Sequence, residues 1–184
     1  MHAEVNLRSA TLADMPLVER WFRAEHVRPF WSQDLDADLA DVGSELASGG
    51  PTSYFIALLD GTPVGFVFYY RLRDYPEYAK ELTEAGVGVH DGDWSLDYLI
   101  GEPHALGRGV ADAMLRLAIG DLWRAQTAST RLVVAVNVAN RSSWRLLERV
   151  GFAIGPDPVE MEPDNDELPR QHLIATRFRP HVLT

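Results

Sequence analysis

The residues best placed to do chemistry lie in a glycine-rich turn between an apolar run and a helical pattern. The turn reads Gly-Glu-Pro-His-Ala-Leu-Gly-Arg-Gly-Val-Ala over residues 101–111. It follows the apolar segment from Trp94 to Ile100 and opens an amphipathic pattern that continues to Leu122. The first N–H groups of a helix have no internal partner, and glycine adds no side chain. Such a turn is therefore suited to binding an anion.

Four interpretations of this turn are open. A P-loop would end in Gly-Lys-Ser or Gly-Lys-Thr, which is missing here. A dinucleotide-binding turn would have a third glycine where Asp112 stands and an acidic residue at the end of the next strand, which instead ends in Val134-Ala-Val136. The remaining two are a site for the pyrophosphate of coenzyme A, held by backbone N–H groups, and a plain strand-to-helix connection.

Asp97 is the second candidate, because it interrupts the apolar strand predicted from Trp94 to Ile100. A carboxylate in such a strand costs free energy unless it is paired or faces a cleft. It is either a group that accepts a proton from a bound substrate or a buried acid bonded to backbone or arginine. Its place within the strand favours the first interpretation.

The elements around these residues predict a mixed α/β (α+β) fold on a largely antiparallel central sheet of about six or seven strands flanked by helices. The predicted strands are Val5–Arg8, Tyr54–Leu59, Val64–Arg71, Trp94–Ile100, Leu132–Val136, Phe152–Ile154 and His172–Phe178. The first predicted helix begins after a capping box at Thr11–Asp14. The other predicted helices are Leu35–Ala47, Arg108–Ala125 and Arg141–Val150. Two acidic segments are predicted as long loops: Leu72–Gly92, which includes one helical turn, and Gly155–Pro169.

The composition limits the class of protein. The chain has 184 residues, 46% of them hydrophobic, and no cysteine, so we expect one domain over residues 1–184 without disulfide or thiolate chemistry. Its formal net charge of −10 argues against a nucleic-acid partner and suits a cationic small molecule. No apolar run reaches membrane-spanning length, and Met1–Asn6 has no signal-peptide features. We therefore expect no membrane partner and a cytoplasmic location.

The segment from Asn140 to Phe152 favours the coenzyme A interpretation. It fits the pattern Asn-x-x-Ala-x-x-x-Tyr-x-x-x-Gly-Phe, with Ser143 for alanine and Leu147 for tyrosine. The turn fits Gln/Arg-x-x-Gly-x-Gly/Ala, with His104 in first place. Together these motifs resemble those of the GNAT N-acyltransferase superfamily. Over nearly the whole chain, the sequence resembles the branch of aminoglycoside 6′-N-acetyltransferases and siderophore-type lysine N-acyltransferases.

The resemblance implies a GNAT fold with splayed central strands and direct transfer of an acetyl group from acetyl-CoA to an amine. It implies that Asp97 is the base that accepts the proton of that amine. The coenzyme is expected to contact Leu99, Ile100, Leu106, Gly107, Arg108, Gly109, Val110, Ala111, Asn140 and Ser143. The acceptor is expected to contact His26, Trp31, Tyr70 and Asp97. Asn140 can also cap its own helix, and the histidines have no metal-ligand spacing, so no metal is expected.

Two departures from the branch bear on the reaction. Leu147 replaces the tyrosine that protonates the leaving thiolate, although a thiol with a pKa of ~8.5 can leave without that help. Ala135 replaces a second acidic residue, which weakens the prediction of an aminoglycoside acceptor. We expect an acetyltransferase, monomeric or homodimeric, that acts on a primary amine of a small cationic molecule. The alternatives are an N6-hydroxylysine or siderophore-precursor acyltransferase and a non-catalytic acyl-CoA-binding module.

Overall fold

A twisted sheet of eight strands runs through the computed structural model, which describes residues 4–180. The strands are β1 (Val5–Ser9), β2 (Ser53–Leu59), β3 (Thr62–Arg71), β4 (Asp93–Ile100), β5 (Arg131–Asn137), β6 (Ala153–Ile154), β7 (Val159–Glu160) and β8 (Gln171–Phe178). The helices are α1 (Met15–Phe22), α2 (Leu35–Ser48), α3 (Pro76–Glu84), α4 (Val110–Ala125) and α5 (Arg141–Arg149). Residues 1–3 and 181–184 lie outside the described residues, and so do the two limits of the predicted domain, residues 1 and 184.

The strand order is β1-β2-β3-β4-β5-β8-β6, with β7 also paired to β8. Each neighbouring pair is antiparallel except β4 and β5. The β2–β3 hairpin turns at Asp60 and Gly61, whose φ angles of 49° and 82° are the positive values that a two-residue hairpin turn needs. These features confirm the predicted mixed fold with a largely antiparallel sheet.

The parallel pair β4–β5 separates soon after it begins. The two strands are paired only at Asp93 with Arg131 and at Trp94 with Leu132. Beyond these residues the second half of β4 remains bonded to β3, while β5 follows β8. The separation confirms the predicted splay of the central strands, and it opens a cleft in the middle of the sheet.

Helices cover both faces of the sheet, and each face has its own apolar core. One core contains α4 and α5 residues such as Met114 and Leu147 against β4 side chains that include Leu96. The other contains α1 and α2 residues such as Trp21 against Phe66 of β3. Alternate β4 residues therefore face different helices, as the pleat of a strand requires. None of the helices within residues 4–180 combines the length and the apolarity needed to cross a membrane.

The structure differs from the sequence prediction in two segments. The predicted loop Leu72–Gly92 contains the nine-residue helix α3, so the segment is more helical than the single predicted turn. Pro76 lies in the first turn of this helix, where it costs no hydrogen bond. The predicted loop Gly155–Pro169 contains the short strand β7, which brings the number of strands to eight. It has only two residues and is stabilised by its pairing with β8.

Candidate functional site

The glycine-rich turn forms an open cradle of backbone N–H groups at the start of α4. Gly107 and Gly109 have φ angles of 69° and 76°, in the left-handed region that other residues rarely adopt. The first helical bond runs from the Ala113 N–H to the Gly109 carbonyl at 3.1 Å, so α4 begins at Val110 and not at the predicted Arg108. Within residues 4–180, the N–H groups of residues 107–112 have no acceptor. This is the geometry of an anion site.

Helix α1 holds the beginning of the cradle in place. A Cβ atom on Gly101 would lie 2.0 Å from the Trp21 indole, so only glycine fits over this fully buried ring. Trp21 Nε1 donates a hydrogen bond of 2.8 Å to the Glu102 carboxylate, and Arg20 donates one of 2.6 Å. These bonds lower the pKa of Glu102 below its usual value. The chain that leaves β4 is therefore fixed before it turns into α4.

A cavity of about 510 Å³ lies where β4 and β5 separate. Aromatic and acidic residues dominate its wall: Phe22, Phe30, Trp31, Tyr54, Phe68, Tyr70, Tyr75, Tyr78 and Tyr98, with Asp38, Asp41, Glu45, Asp97 and Asp164. In the described part of the chain, no Lys, Arg or His side chain lines it. The cavity therefore combines a negative potential with ring faces, and both attract cations.

Asp97 lies on β4 at the inner end of this cavity. Tyr70 Oη, on β3, donates a hydrogen bond of 3.0 Å to Asp97 Oδ2. Burial raises the pKa of Asp97 to about 6, and the nearby Asp164 carboxylate adds to this effect, although the Tyr70 bond opposes it. Asp97 is therefore ionised at neutral pH but is a stronger base than an ordinary aspartate.

Acidic side chains on α2 and on the loop 155–169 line the outer part of the cavity. Burial raises the pKa of Asp38, and its neighbours Asp34 and Asp41 raise it further. Partial burial of the carboxylate also raises the pKa of Asp164, and Asp38 raises it further, although the nearby His172 opposes the rise. The loop that carries Asp164 is fixed against the turn that precedes α2, because Asn165 Nδ2 donates a hydrogen bond of 2.9 Å to the Pro29 carbonyl.

The start of α5 forms the opposite side of the cleft. Asn140 caps this helix, because its Oδ1 accepts a hydrogen bond of 3.2 Å from the Ser143 N–H. Tyr98, the β4 residue after Asp97, extends across the cleft, and its Oη lies 2.7 Å from Ser143 Oγ. Both positions at which the sequence departs from the branch it resembles are near: Ala135 lines the cavity, and Leu147 is fully buried in the core.

The predicted site residues fall into three groups. The cavity brings together Trp31, Tyr70, Asp97, Asn140 and Ser143. The cradle contains the predicted coenzyme residues that run from Leu106 through Gly107, Arg108, Gly109 and Val110 to Ala111. The third group does not line the cavity, and it consists of His26, Leu99 and Ile100.

Residues of this third group contribute to packing and to the end of β4. The Leu99 and Ile100 side chains are buried in the two different cores, so only their backbone atoms can contact a ligand in the cleft. His26 Nε2 lies 2.8 Å from the Ile100 carbonyl, which can only accept, so Nε2 carries a proton. His26 thus holds the end of β4 instead of lining the cavity.

Several cavity residues were absent from the sequence prediction. Asp38, Asp41 and Glu45 are spaced three and four residues apart, which places them on one face of a helix, and this spacing was a usable signal. Tyr78 lies on α3, in a segment for which the sequence predicts a loop. Asp164 lies in an irregular loop, where no periodic pattern indicates its direction. Across residues 4–180, no three His, Asp or Glu side chains converge as metal ligands would.

Comparisons with known proteins agree with this geometry. A family model described as "Acetyltransferase (GNAT) domain" matches residues 10–157 of the chain. The structure is similar to aminoglycoside acetyltransferase AAC(6')-Ib in complex with coenzyme A, with a TM-score of 0.70 and 22% identity over 96% of this chain and 95% of that chain. No curated protein sequence matches the chain.

Two further solved structures have the same fold. The aminoglycoside N(6')acetyltransferase of Legionella pneumophila has a TM-score of 0.69 and 16% identity, with 97% of this chain and 94% of that chain covered. An uncharacterized protein of Bacillus halodurans has a TM-score of 0.70 and 19% identity, with 95% and 83% covered. At such identities the structural likeness concerns the fold.

Proposed function

Since the chain belongs to the acetyltransferase (GNAT) domain family, which confirms the family that its paired motifs predicted, we propose that it acetylates a primary amine of a small cationic molecule. Family membership makes it an acyl-CoA-dependent acetyltransferase. The identity of the acceptor goes beyond that membership and is the proposal. A cytoplasmic location, the oligomeric state and the lack of nucleic-acid or membrane partners stay predictions.

One observation carries the proposal about the acceptor. The cavity between β4 and β5 is lined by five carboxylates, and no Lys, Arg or His is among its described lining residues. Clustered carboxylates without cations repel one another, so this arrangement costs stability unless a positively charged ligand enters. The surrounding rings favour the same kind of ligand, because an ammonium group is attracted to an aromatic face.

The cradle suits the acyl donor. The N–H groups of residues 107–112 are free to bind the pyrophosphate of acetyl-CoA, and the positive end of the α4 dipole adds to the attraction. The rest of the donor would extend along the cleft towards Asn140 and Ser143 at the start of α5. Holding donor and acceptor on either side of β4 brings the thioester and the amine together, which can by itself supply a large part of the rate.

Asp97 would act as the general base. The bound ammonium first loses one proton to water, and the neutral nitrogen then forms a bond to the thioester carbonyl carbon. It passes its second proton to Asp97, and the C–S bond breaks to release coenzyme A. With a pKa of about 6, Asp97 is ionised at pH 7 and can accept this proton. The hydrogen bond from Tyr70 holds the carboxylate in one orientation and leaves Oδ1 free for the amine.

Release of free thiol from acetyl-CoA in the presence of candidate amines tests the proposal. The panel contains diamines and polyamines, aminoglycosides and N6-hydroxylysine. Its controls are weakly basic amines of similar size, which are neutral at the pH of the assay. We expect turnover with cationic amines and little with neutral ones. Turnover with N6-hydroxylysine alone would favour the siderophore-precursor alternative. Binding of coenzyme A without turnover of any amine would contradict the proposed function.

A further inference from the structure

Asp97 and Tyr98 lie side by side on β4, at the point where it has separated from β5, and point to opposite faces of the sheet. Asp97 faces the aromatic side of the cavity with Tyr70. Tyr98 contacts the core beneath α4 and α5, and its Oη reaches the first turn of α5. The alternation of a strand thus places a carboxylate on the acceptor side and a hydroxyl group on the side of the cradle.

The breaking C–S bond leaves negative charge on the sulfur of coenzyme A. Helix α5 provides no acid for this charge, because Leu147 is fully buried and aliphatic. Ser143 lies four residues before Leu147 and therefore on the same face of the helix, one turn away. The Tyr98 hydroxyl, 2.7 Å from Ser143 Oγ, is the acidic O–H group that projects into this part of the cleft from β4.

We propose that Tyr98 is the proton donor to the leaving sulfur of coenzyme A, an inference that rests on the proposed acetyltransferase function. As the C–S bond breaks, its electron pair remains on sulfur and the Tyr98 Oη proton moves to it. Asp97 then holds the proton lost by the amine, and exchange through water returns one proton to Tyr98. Burial raises the pKa of Tyr98 above its usual value, so the hydroxyl group is protonated at neutral pH.

Tyr98→Phe removes the hydroxyl group and keeps the ring. We expect kcat with acetyl-CoA to fall by about 100-fold, at the low end for a general acid because the thiol of coenzyme A is already fairly acidic. The KM for the amine and the Kd for coenzyme A should change little. Tyr69→Phe is the matched control, because Tyr69 lies on β3 and its hydroxyl group bonds Asp121, outside the cavity. This variant should keep the wild-type kcat.

A second donor separates acid catalysis from positioning. In acetyl-selenocoenzyme A, selenium replaces sulfur, and a selenol is acidic enough to leave without a proton. The ratio of wild-type to Tyr98→Phe kcat should therefore fall from about 100 to near one. The same loss with both donors, or a wild-type kcat for Tyr98→Phe, would overturn the role of Tyr98 while the proposed function stands. A wild-type protein that acetylates no amine would overturn both.

Discussion

Two aspartates on one strand, four residues apart, have opposite surroundings. Asp93 is 1% exposed and forms an ion pair with Arg131, whose Nε donates a hydrogen bond of 3.0 Å; the His90 N–H donates another of 2.8 Å. Asp97 has one neutral donor, Tyr70, and no cationic partner within residues 4–180. Asp93 lies where β4 and β5 are paired, and Asp97 lies where they have separated.

We interpret the difference as a division of one strand between structure and the proposed chemistry. At its start, the charge of Asp93 is neutralised by the facing strand, so a buried carboxylate holds β4 and β5 together. Further along, the same strand carries Asp97, whose negative charge no described side chain neutralises. Such a group destabilises the free protein and is retained where a ligand needs it. The two residues should therefore respond to the same substitution in opposite ways.

The largest effect is expected at the paired aspartate. Asp93→Asn leaves Arg131, whose side chain is only 15% exposed, without a counter-charge, and this should lower the free energy of unfolding by about 3 kcal/mol. Urea denaturation at pH 7 measures the change. Glu84→Gln is the control, because it removes an ion pair with Lys80 that is exposed on both sides, and it should leave the midpoint nearly unchanged. Equal stability of Asp93→Asn and wild type would contradict this role of the pair.

At the unpaired aspartate the main loss should be in catalysis. Asp97→Asn cannot accept a proton from the amine, so we expect kcat to fall by about 100-fold, equivalent to ~2.7 kcal/mol. The amide oxygen can still accept the Tyr70 hydrogen bond, and the cradle is untouched, so the Kd for coenzyme A should be unchanged. Steady-state kinetics together with calorimetric titration of coenzyme A test this. A kcat within twofold of wild type would exclude Asp97 as the base.

The same substitution should stabilise the fold. The folded pKa of about 6 exceeds the usual 3.8, so the folded state binds more protons between these values. Stability is therefore lost as the pH rises from about 4 to 6, and the whole penalty is present above pH 6. Asp97→Asn removes this penalty and should raise the free energy of unfolding by about 3 kcal/mol at pH 7, and by much less at pH 4. A variant less stable than wild type at pH 7 would show that the Asp97 carboxylate stabilises the fold, as the Asp93 carboxylate does.

A smaller effect is expected in the pH profile of activity. Protonation of Asp97 between pH 7 and pH 5 should lower kcat/KM by about tenfold, given a pKa of about 6. Ionisation of the acceptor amine also contributes to the measured profile. The ratio of wild-type to Asp97→Asn kcat/KM removes that contribution and should itself fall about tenfold over this range. A ratio independent of pH would mean that another group takes the proton.

Much of the fold was predictable because it depends on local patterns. Apolar alternation marked the strands, and glycines marked the cradle, since a positive φ at Gly107 and Gly109 is a property of those residues themselves. Helix α3 was missed although Pro76 and the spacing of Tyr75, Tyr78 and Leu82 were consistent with a helix. The acidic, glycine-containing flanks of that segment favoured a loop.

The contrast between Asp93 and Asp97 was not predictable. Both are acidic residues in or next to one apolar run, and the partner of Asp93 comes from a strand that begins at Arg131, 38 residues later. Where parallel strands stop pairing depends on how helices pack on each face, and no short segment contains that information. For the same reason the sequence identifies Asp97 as a candidate but not its neighbour Asp164, whose irregular loop reaches the cavity only in the folded chain.

The smallest predicted effect concerns the outer carboxylates of the cavity. If Asp38 and Asp164 bind a second cationic group, Asp164→Asn and Asp38→Asn should each raise the KM for a diamine about fivefold, equivalent to ~1 kcal/mol for one partly exposed charge pair. The KM for a monoamine and the kcat for either amine should stay as in wild type. Asp157→Asn is the control, since Asp157 lies on the same loop but outside the cavity. An equal rise in KM for both amines would mean that these carboxylates act through the general potential of the cleft. In that case, the specific recognition of charge would be confined to Asp97, where β4 has left β5.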